Sequence, residues 1–153
     1  VGSIDIEDAC LVLKSGYSGK CGLFDLSDGK QVIDFRYDDI TLLGFNRALG
    51  KDGSRRYLLD TSTGDVIASL PPNIGAAHFN EALVTWLFRA KSYYGIIDEE
   101  GNILYEDAKD PLTGVTKFRH GFSGGQKDNK KWGILKSDGT WLVHPTYDYI
   151  KLL

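Results

Sequence analysis

The side chains of this chain best suited to chemistry are carboxylates, because they occur in clusters. Two carboxyl groups flanking a sugar bond can act as the acid and the base of glycoside hydrolysis. The clusters are Asp5, Glu7 and Asp8; Asp38 and Asp39; Asp98, Glu99 and Glu100; Glu106 and Asp107. Asp25, Asp60 and Asp98, however, recur at matching positions before polar turns, where aspartate bonds the turn backbone. We therefore expect the recurring aspartates to stabilise the fold.

Acidic and aromatic residues without a counterpart of the same type elsewhere in the chain are better candidates for binding. Tryptophan and tyrosine are frequent hot spots of protein interfaces, although aromatic residues are also common as half-buried strand residues. The predicted partner-binding residues are Asp39, Trp86, Glu99, Glu100, Glu106 and Tyr149.

Histidine and cysteine give little sign of a metal site. His78, His120 and His144 lie far apart, and no His-x-x-His or Cys-x-x-Cys spacing occurs, so we expect neither a metal nor a cofactor. Cys10 and Cys21 flank one turn, and a turn centred on Tyr17 places them opposite different residues, Phe24 and Leu13. A disulfide needs close Cα atoms, so we expect two free thiols.

A phrase repeated along the chain defines the elements that must position these residues. Cys21-Gly22, Arg56-Tyr57, Tyr94-Gly95 and Trp132-Gly133 each open an apolar run, which a polar turn with glycine follows. The turn glycines are Gly29, Gly64, Gly101 and Gly139. Such internal repetition indicates a repeat architecture. We divide the single repeat domain into copies at 6–44, 45–78, 79–117 and 118–153.

The short apolar runs predict strands, and the short loops between them can join only antiparallel neighbours. We therefore predict an all-β fold of tandem three-stranded antiparallel β-meanders, in a solenoid-like or partly curled, propeller-like array. The repeat length is a little below the roughly 40–45 residues of a four-stranded propeller blade, which favours the open or partly curled array. The segment 108–117 is interpreted as a connector.

The C-terminal phrase KWGILKSDGTWLVHPTYDYI (131–150) resembles the WG-repeat family of bacterial proteins. The residues that carry the resemblance are Lys131, Trp132, Gly133, Asp138, Gly139, Pro145, Tyr147 and Asp148. The earlier copies are more degenerate, with Cys21 in place of the tryptophan. The resemblance implies a repetitive β architecture and a binding role, and it transfers no catalytic residues.

Composition narrows the classes of function. The chain has 153 residues and a formal net charge of −3, which argues against non-specific binding to nucleic acid or to an anionic membrane. No apolar run approaches the roughly 20 residues of a membrane span, and no signal peptide is visible. We expect a cytoplasmic protein that is not an enzyme.

Two functions are compatible with these features. The first is a protein-binding repeat module, most concretely a bacterial immunity protein that binds and neutralises a secreted toxin, such as a basic nuclease. A repeat array offers a long surface whose variable positions can change without disturbing the frame. The alternative is a carbohydrate- or cell-envelope-binding module, which predicts export and sugar binding on aromatic platforms.

Overall fold

The computed structural model describes residues 10–80, 85–90, 93–105, 111–151 and 153. Every regular element in these ranges is a β-strand, and the strands pair antiparallel with their neighbours. The predicted all-β, antiparallel class is therefore confirmed. Among the described residues, no helix could cross a membrane.

The chain divides into two compact units, and the first unit, Val1–Pro72, contains two β-meanders. The first meander consists of β1 (Cys10–Lys14), β2 (Cys21–Asp25) and β3 (Gln31–Tyr37), in that order. The second meander consists of β4 (Asp39–Gly44), β5 (Arg47–Asp52), β6 (Arg55–Asp60) and β7 (Val66–Leu70). Within each meander, every strand pairs with the next along the chain, as the short loops require.

The second unit, Asn73–Leu153, contains two four-stranded meanders. The third meander consists of β8 (Gly75–Asn80), β9 (Thr85–Arg89), β10 (Tyr94–Asp98) and β11 (Ile103–Tyr105). The fourth consists of β12 (Leu112–Val115), β13 (Phe122–Lys127), β14 (Trp132–Lys136) and β15 (Trp141–Tyr147). Tyr94 in β10 pairs with Leu112 in β12, which joins the two meanders into one sheet.

A fourth strand is the feature of the meanders that the sequence pattern did not predict. The pattern describes β1–β3, but β4 adds a strand within the predicted first copy, and β12 lies in the segment interpreted as a connector. β12 has little strand signal, since its sequence is Leu-Thr-Gly-Val after a proline. Backbone pairing with β13, from Leu112 opposite Lys127 to Val115 opposite Gly125, holds it in the sheet.

The glycine of the Trp-Gly phrase allows two strands to approach closely. A β-carbon on Gly22 would collide with the backbone oxygen of Ile33, and one on Gly133 with that of Val143. The strand register shifts at both glycines, as in a β-bulge. At the corresponding position of the second meander the register is regular, which explains why Tyr57 is tolerated there.

Each unit has its own hydrophobic core between its two meanders. In the first unit, residues of β2 and β3 pack against residues of the second meander; the buried members are Cys21, Leu23, Ile33, Tyr37, Ile40, Ala48 and Leu59. In the second unit the buried cluster is Ile96, Leu112 and Leu135, with Trp141 and Tyr105 packed against it. The cores therefore lie where one meander meets the next.

Candidate interaction surface

The recurring aspartates stabilise turns, as predicted. The Oδ1 atom of Asp25 accepts hydrogen bonds from the Ser27 hydroxyl (2.6 Å) and backbone N–H (2.8 Å), and these bonds lower the pKa of Asp25. Asp60 accepts the same pair from Ser62, at 2.6 and 2.8 Å. Asp98 accepts the backbone N–H of Asn102 at 2.8 Å. These carboxylates are committed to the frame of the fold.

A second recurring aspartate joins two meanders, and this role was not anticipated in detail. Asp38 follows β3 and pairs with the ammonium group of Lys20, and its Oδ2 accepts the backbone N–H of Gly53 at 2.7 Å. The Lys20 and Gly53 bonds lower the pKa of Asp38, while the bond to Asp38 raises the pKa of Lys20. Because Gly53 lies in the β5–β6 turn, Asp38 connects the first meander to the second.

The same pair recurs in the fourth meander, where no second hydrogen bond of the aspartate is found among the described residues. Lys131 precedes Trp132 as Lys20 precedes Cys21, and its ammonium group pairs with Asp148. The Asp148 side chain is 87% exposed, against 38% for Asp38. The spacing of lysine and aspartate in the repeated phrase was a usable signal for this ion pair.

Two of the predicted binding residues occupy equivalent positions. Asp39 follows Tyr37-Asp38, and Tyr149 follows Tyr147-Asp148. Both are exposed, and Tyr149 retains 76% of its accessible surface. They lie in different units, so each belongs to a local surface of its own unit.

Glu99 and Glu100 are the pair of predicted residues that the structure brings together. Both lie exposed in the β10–β11 turn. The Glu100 backbone N–H bonds Asp98 Oδ1 at 3.0 Å, and Asn102 Nδ2 donates to Glu100 Oε2 at 3.4 Å. The turn therefore presents two carboxylates on a backbone fixed by Asp98, an arrangement suited to pairing with cations.

For the remaining predicted residues, Trp86 and Glu106, the structure describes a backbone alone or nothing. The Trp86 backbone is in β9, opposite Ile97, and its side chain is outside the described part of the structure. Glu106 lies wholly outside the described residues. His120 and His144 are exposed, and the described part of the chain holds no cluster of His, Cys, Asp and Glu that could bind a metal.

Cys10 and Cys21 form no disulfide, and the predicted strand register was wrong by one residue. Cys10 lies opposite Asp25, and Cys21 lies opposite Lys14. The turn leaves six residues between Lys14 and Cys21, so it does not centre on Tyr17. The Cys21 thiol is buried and donates to the Asp38 carbonyl oxygen at 3.7 Å.

Two apolar faces are exposed, and they were not singled out from the sequence. The face of the first meander opposite its core contains exposed Leu11, Leu13 and Phe35. On the fourth meander, Leu142 and Tyr147 are exposed. A signal was present in β1, where Leu11, Val12 and Leu13 give apolar side chains on both faces, as in strands covered on both sides.

Comparison with known structures places these meanders among β-propeller blades. A computationally designed protein, Ika8, superposes with a TM-score of 0.53 at 13% identity, over 92% of this chain and 48% of that one. A loop-replaced variant of KlHsv2 superposes with a TM-score of 0.53 at 11% identity, over 86% and 46%. The chain thus spans about half the length of these proteins. BamB from Moraxella catarrhalis, also a propeller, matches less closely, with a TM-score of 0.46 at 18% identity, over 90% and 40%.

The family comparison identifies the C-terminal copy of the phrase. Residues 132–152 match the WG containing repeat, which confirms the resemblance stated for the C-terminal phrase. No curated protein matches the chain in sequence. The chain is therefore an antiparallel β-repeat protein that resembles propeller blades and carries a WG repeat in its fourth meander.

Proposed function

We propose that this chain is a non-catalytic protein-binding module, and that its partner is a basic protein such as a secreted bacterial toxin that it neutralises as an immunity protein. One contrast carries the proposal. Recurring carboxylates such as Asp25, Asp38 and Asp60 hold turns in place or join two meanders. Asp39, Glu99 and Glu100, in contrast, are exposed at positions where the type of residue changes from one meander to another.

Charge supports a basic partner. The chain has a net charge of −3, and nuclease toxins are positively charged where they hold nucleic acid. An acidic binding surface would steer association with such a domain and cover its functional site. Glu99 and Glu100 add two carboxylates on one ordered turn, which gives the surface a local concentration of negative charge.

The direct test is binding between this chain and the product of the adjacent gene. The two proteins are co-expressed, purified by a tag on this chain, and titrated against each other by calorimetry at two salt concentrations. We expect a complex whose affinity falls as salt rises, because exposed charges are screened. If the neighbouring product neither co-purifies nor binds at low salt, the immunity proposal is wrong.

A matched pair of variants tests the acidic residues. The triple variant Asp39→Lys, Glu99→Lys and Glu100→Lys should weaken binding and reduce its salt dependence. The control, Asp34→Lys, Asp65→Lys and Asp128→Lys, changes net charge equally at other exposed positions. Equal losses in both would show that only net charge matters, and would remove these three residues as the binding site.

A further inference from the structure

The contact between consecutive meanders in the first unit has three parts. The turn at Gly64 lies against the carbonyl oxygen of Val32 in β3. The backbone N–H of Gly53 donates to Asp38 at 2.7 Å. Tyr37, only 1% exposed, fills the space between the two sheets. The earlier meander thus presents its third strand, and the later one presents its turns.

The second unit repeats the first part of this contact. The turn at Gly139 in the fourth meander lies against the carbonyl oxygen of Leu104 in β11. Leu104 corresponds to Val32, because each precedes the residue that pairs with the apolar position after the phrase glycine: Ile33 opposite Leu23, and Tyr105 opposite Ile96. The packing of a glycine turn against the third strand of the preceding meander therefore recurs in both units.

The fourth meander presents the same third-strand face uncovered. Leu142 corresponds to Val32 and is 52% exposed, and Tyr147 corresponds to Tyr37 and is 56% exposed. Asp148 corresponds to Asp38 and is paired with Lys131. The Oδ2 atom of Asp148 is the counterpart of the Asp38 oxygen that accepts the Gly53 N–H in the first unit. This face, defined by Leu142, Tyr147 and Asp148, is called the accepting face.

The first meander presents the complementary face uncovered. Gly29 corresponds to Gly64 and Gly139, yet a β-carbon on Gly29 would meet nothing within 4 Å. Leu11 and Leu13 are exposed on the same sheet, whereas Ala48, the counterpart of Leu11 in the second meander, is fully buried. This face, defined by Leu11, Leu13 and the Gly29 turn, is called the inserting face.

We propose that two copies of this chain associate head to tail, the inserting face of each packing on the accepting face of the other. The Gly29 turn of one copy would then contact the Leu142 carbonyl of the other, and the β1–β2 loop would supply the N–H that Asp148 accepts. The occupant is a second copy because both halves of the contact seen in the first unit, and repeated in part in the second, are exposed on this chain.

A head-to-tail interface joins two different faces of the protein, and each copy of this chain offers one face of each kind. This association is independent of the toxin partner proposed above.

Sedimentation equilibrium of the full chain over the micromolar range tests the proposal. We expect a dimer for the wild type. Leu142→Glu, on the accepting face, and Leu13→Glu, on the inserting face, should each raise the dissociation constant at least about tenfold. Val66→Glu, at another exposed apolar position, is the control and should leave it unchanged. Circular dichroism and thermal melts show that each variant is folded.

Mixing the two variants distinguishes a head-to-tail interface from an interface between two identical faces. Leu142→Glu retains an intact inserting face and Leu13→Glu an intact accepting face, so an equimolar mixture should associate more tightly than either variant alone. An interface between identical faces would give no such gain. A wild-type monomer at the highest concentration, a dimer unaffected by both variants, or a mixture without gain would each overturn the proposal.

Discussion

The Tyr-Asp phrase occupies the same place in the first and the fourth meanders, but its surroundings differ. Tyr37 is buried where the second meander covers it, whereas its counterpart Tyr147 is exposed. Asp38 bonds a lysine and a turn N–H, and Asp148 bonds the corresponding lysine. The phrase is thus one half of a meander–meander contact, and its energetic value depends on the meander that follows.

The difference shows which part of the phrase stabilises the fold. Both meanders keep the lysine–aspartate pair, and exposed ion pairs contribute little to stability because solvent screens them. Of the two sites, the first-meander site is the one where the tyrosine is buried and the aspartate bonds the next meander. Substitutions at matched positions should therefore have unequal effects.

Truncation of the tyrosine should show the largest inequality. Tyr37→Ala leaves a cavity in the core of the first unit and should lower the free energy of unfolding by about 3–5 kcal/mol, as aromatic truncations in cores do. Tyr147→Ala removes an exposed ring and should change it by less than about 0.5 kcal/mol. Urea denaturation at low protein concentration measures both. Similar losses would mean that Tyr147 is also buried in solution.

Overpacking the same contact should have the next largest effect. A β-carbon on Gly50 would lie about 2.9 Å from ring atoms of Tyr37 and from a methyl of Leu59. Because both neighbours are buried, Gly50→Ala should destabilise the protein by about 1–3 kcal/mol. Gly16→Ala is the control, since a β-carbon there meets nothing within 4 Å. A neutral Gly50→Ala would show that Tyr37 moves aside without cost.

Much of this frame could be predicted from the sequence, because turn chemistry is local. Asp25 and Asp60 precede turns whose glycines, Gly29 and Gly64, have φ of 72° and 80°, as the phrase indicates. Strand β12 could not be predicted, because Leu112–Val115 carries little strand propensity and depends on β13 for its pairing. The register of β1 and β2 was predicted wrongly by one residue because the turn has an even number of residues. Its centre therefore lies between Tyr17 and Ser18, and not at Tyr17.

Binding residues were harder to predict than the frame. Absence of recurrence selected Asp39, Glu99 and Tyr149, which are exposed, but it gives no information about which residues are neighbours in space. The apolar face of the first meander was missed since Leu11 and Leu13 resemble core residues. Whether an apolar strand face is covered depends on the neighbouring meander, and periodicity within one strand does not contain that information.

Neutralising the aspartate should give the smallest effect and a distinctive dependence on pH. The negative charge of Asp38 holds Lys20 and strengthens the hydrogen bond from Gly53, and Asp38→Asn removes this charge. The variant should lower the melting temperature at neutral pH by less than Gly50→Ala does. Asp148 pairs with its lysine but has no counterpart of the Gly53 bond among the described residues, so Asp148→Asn should have a smaller effect. Differential scanning calorimetry at low concentration compares them.

The pH profile separates this electrostatic loss from a packing defect. The bonds from Lys20 and Gly53 lower the pKa of Asp38 from its ordinary value of 3.8, so the unfolded chain binds a proton first as pH falls. The stabilisation is therefore present above pH 3.8 and is lost as pH falls through the folded-state pKa. Melting temperatures of wild type and Asp38→Asn should converge in that acidic range. A constant gap between them down to the acid limit would mean that the asparagine disturbs packing, and that the charge of Asp38 is not what joins the two meanders.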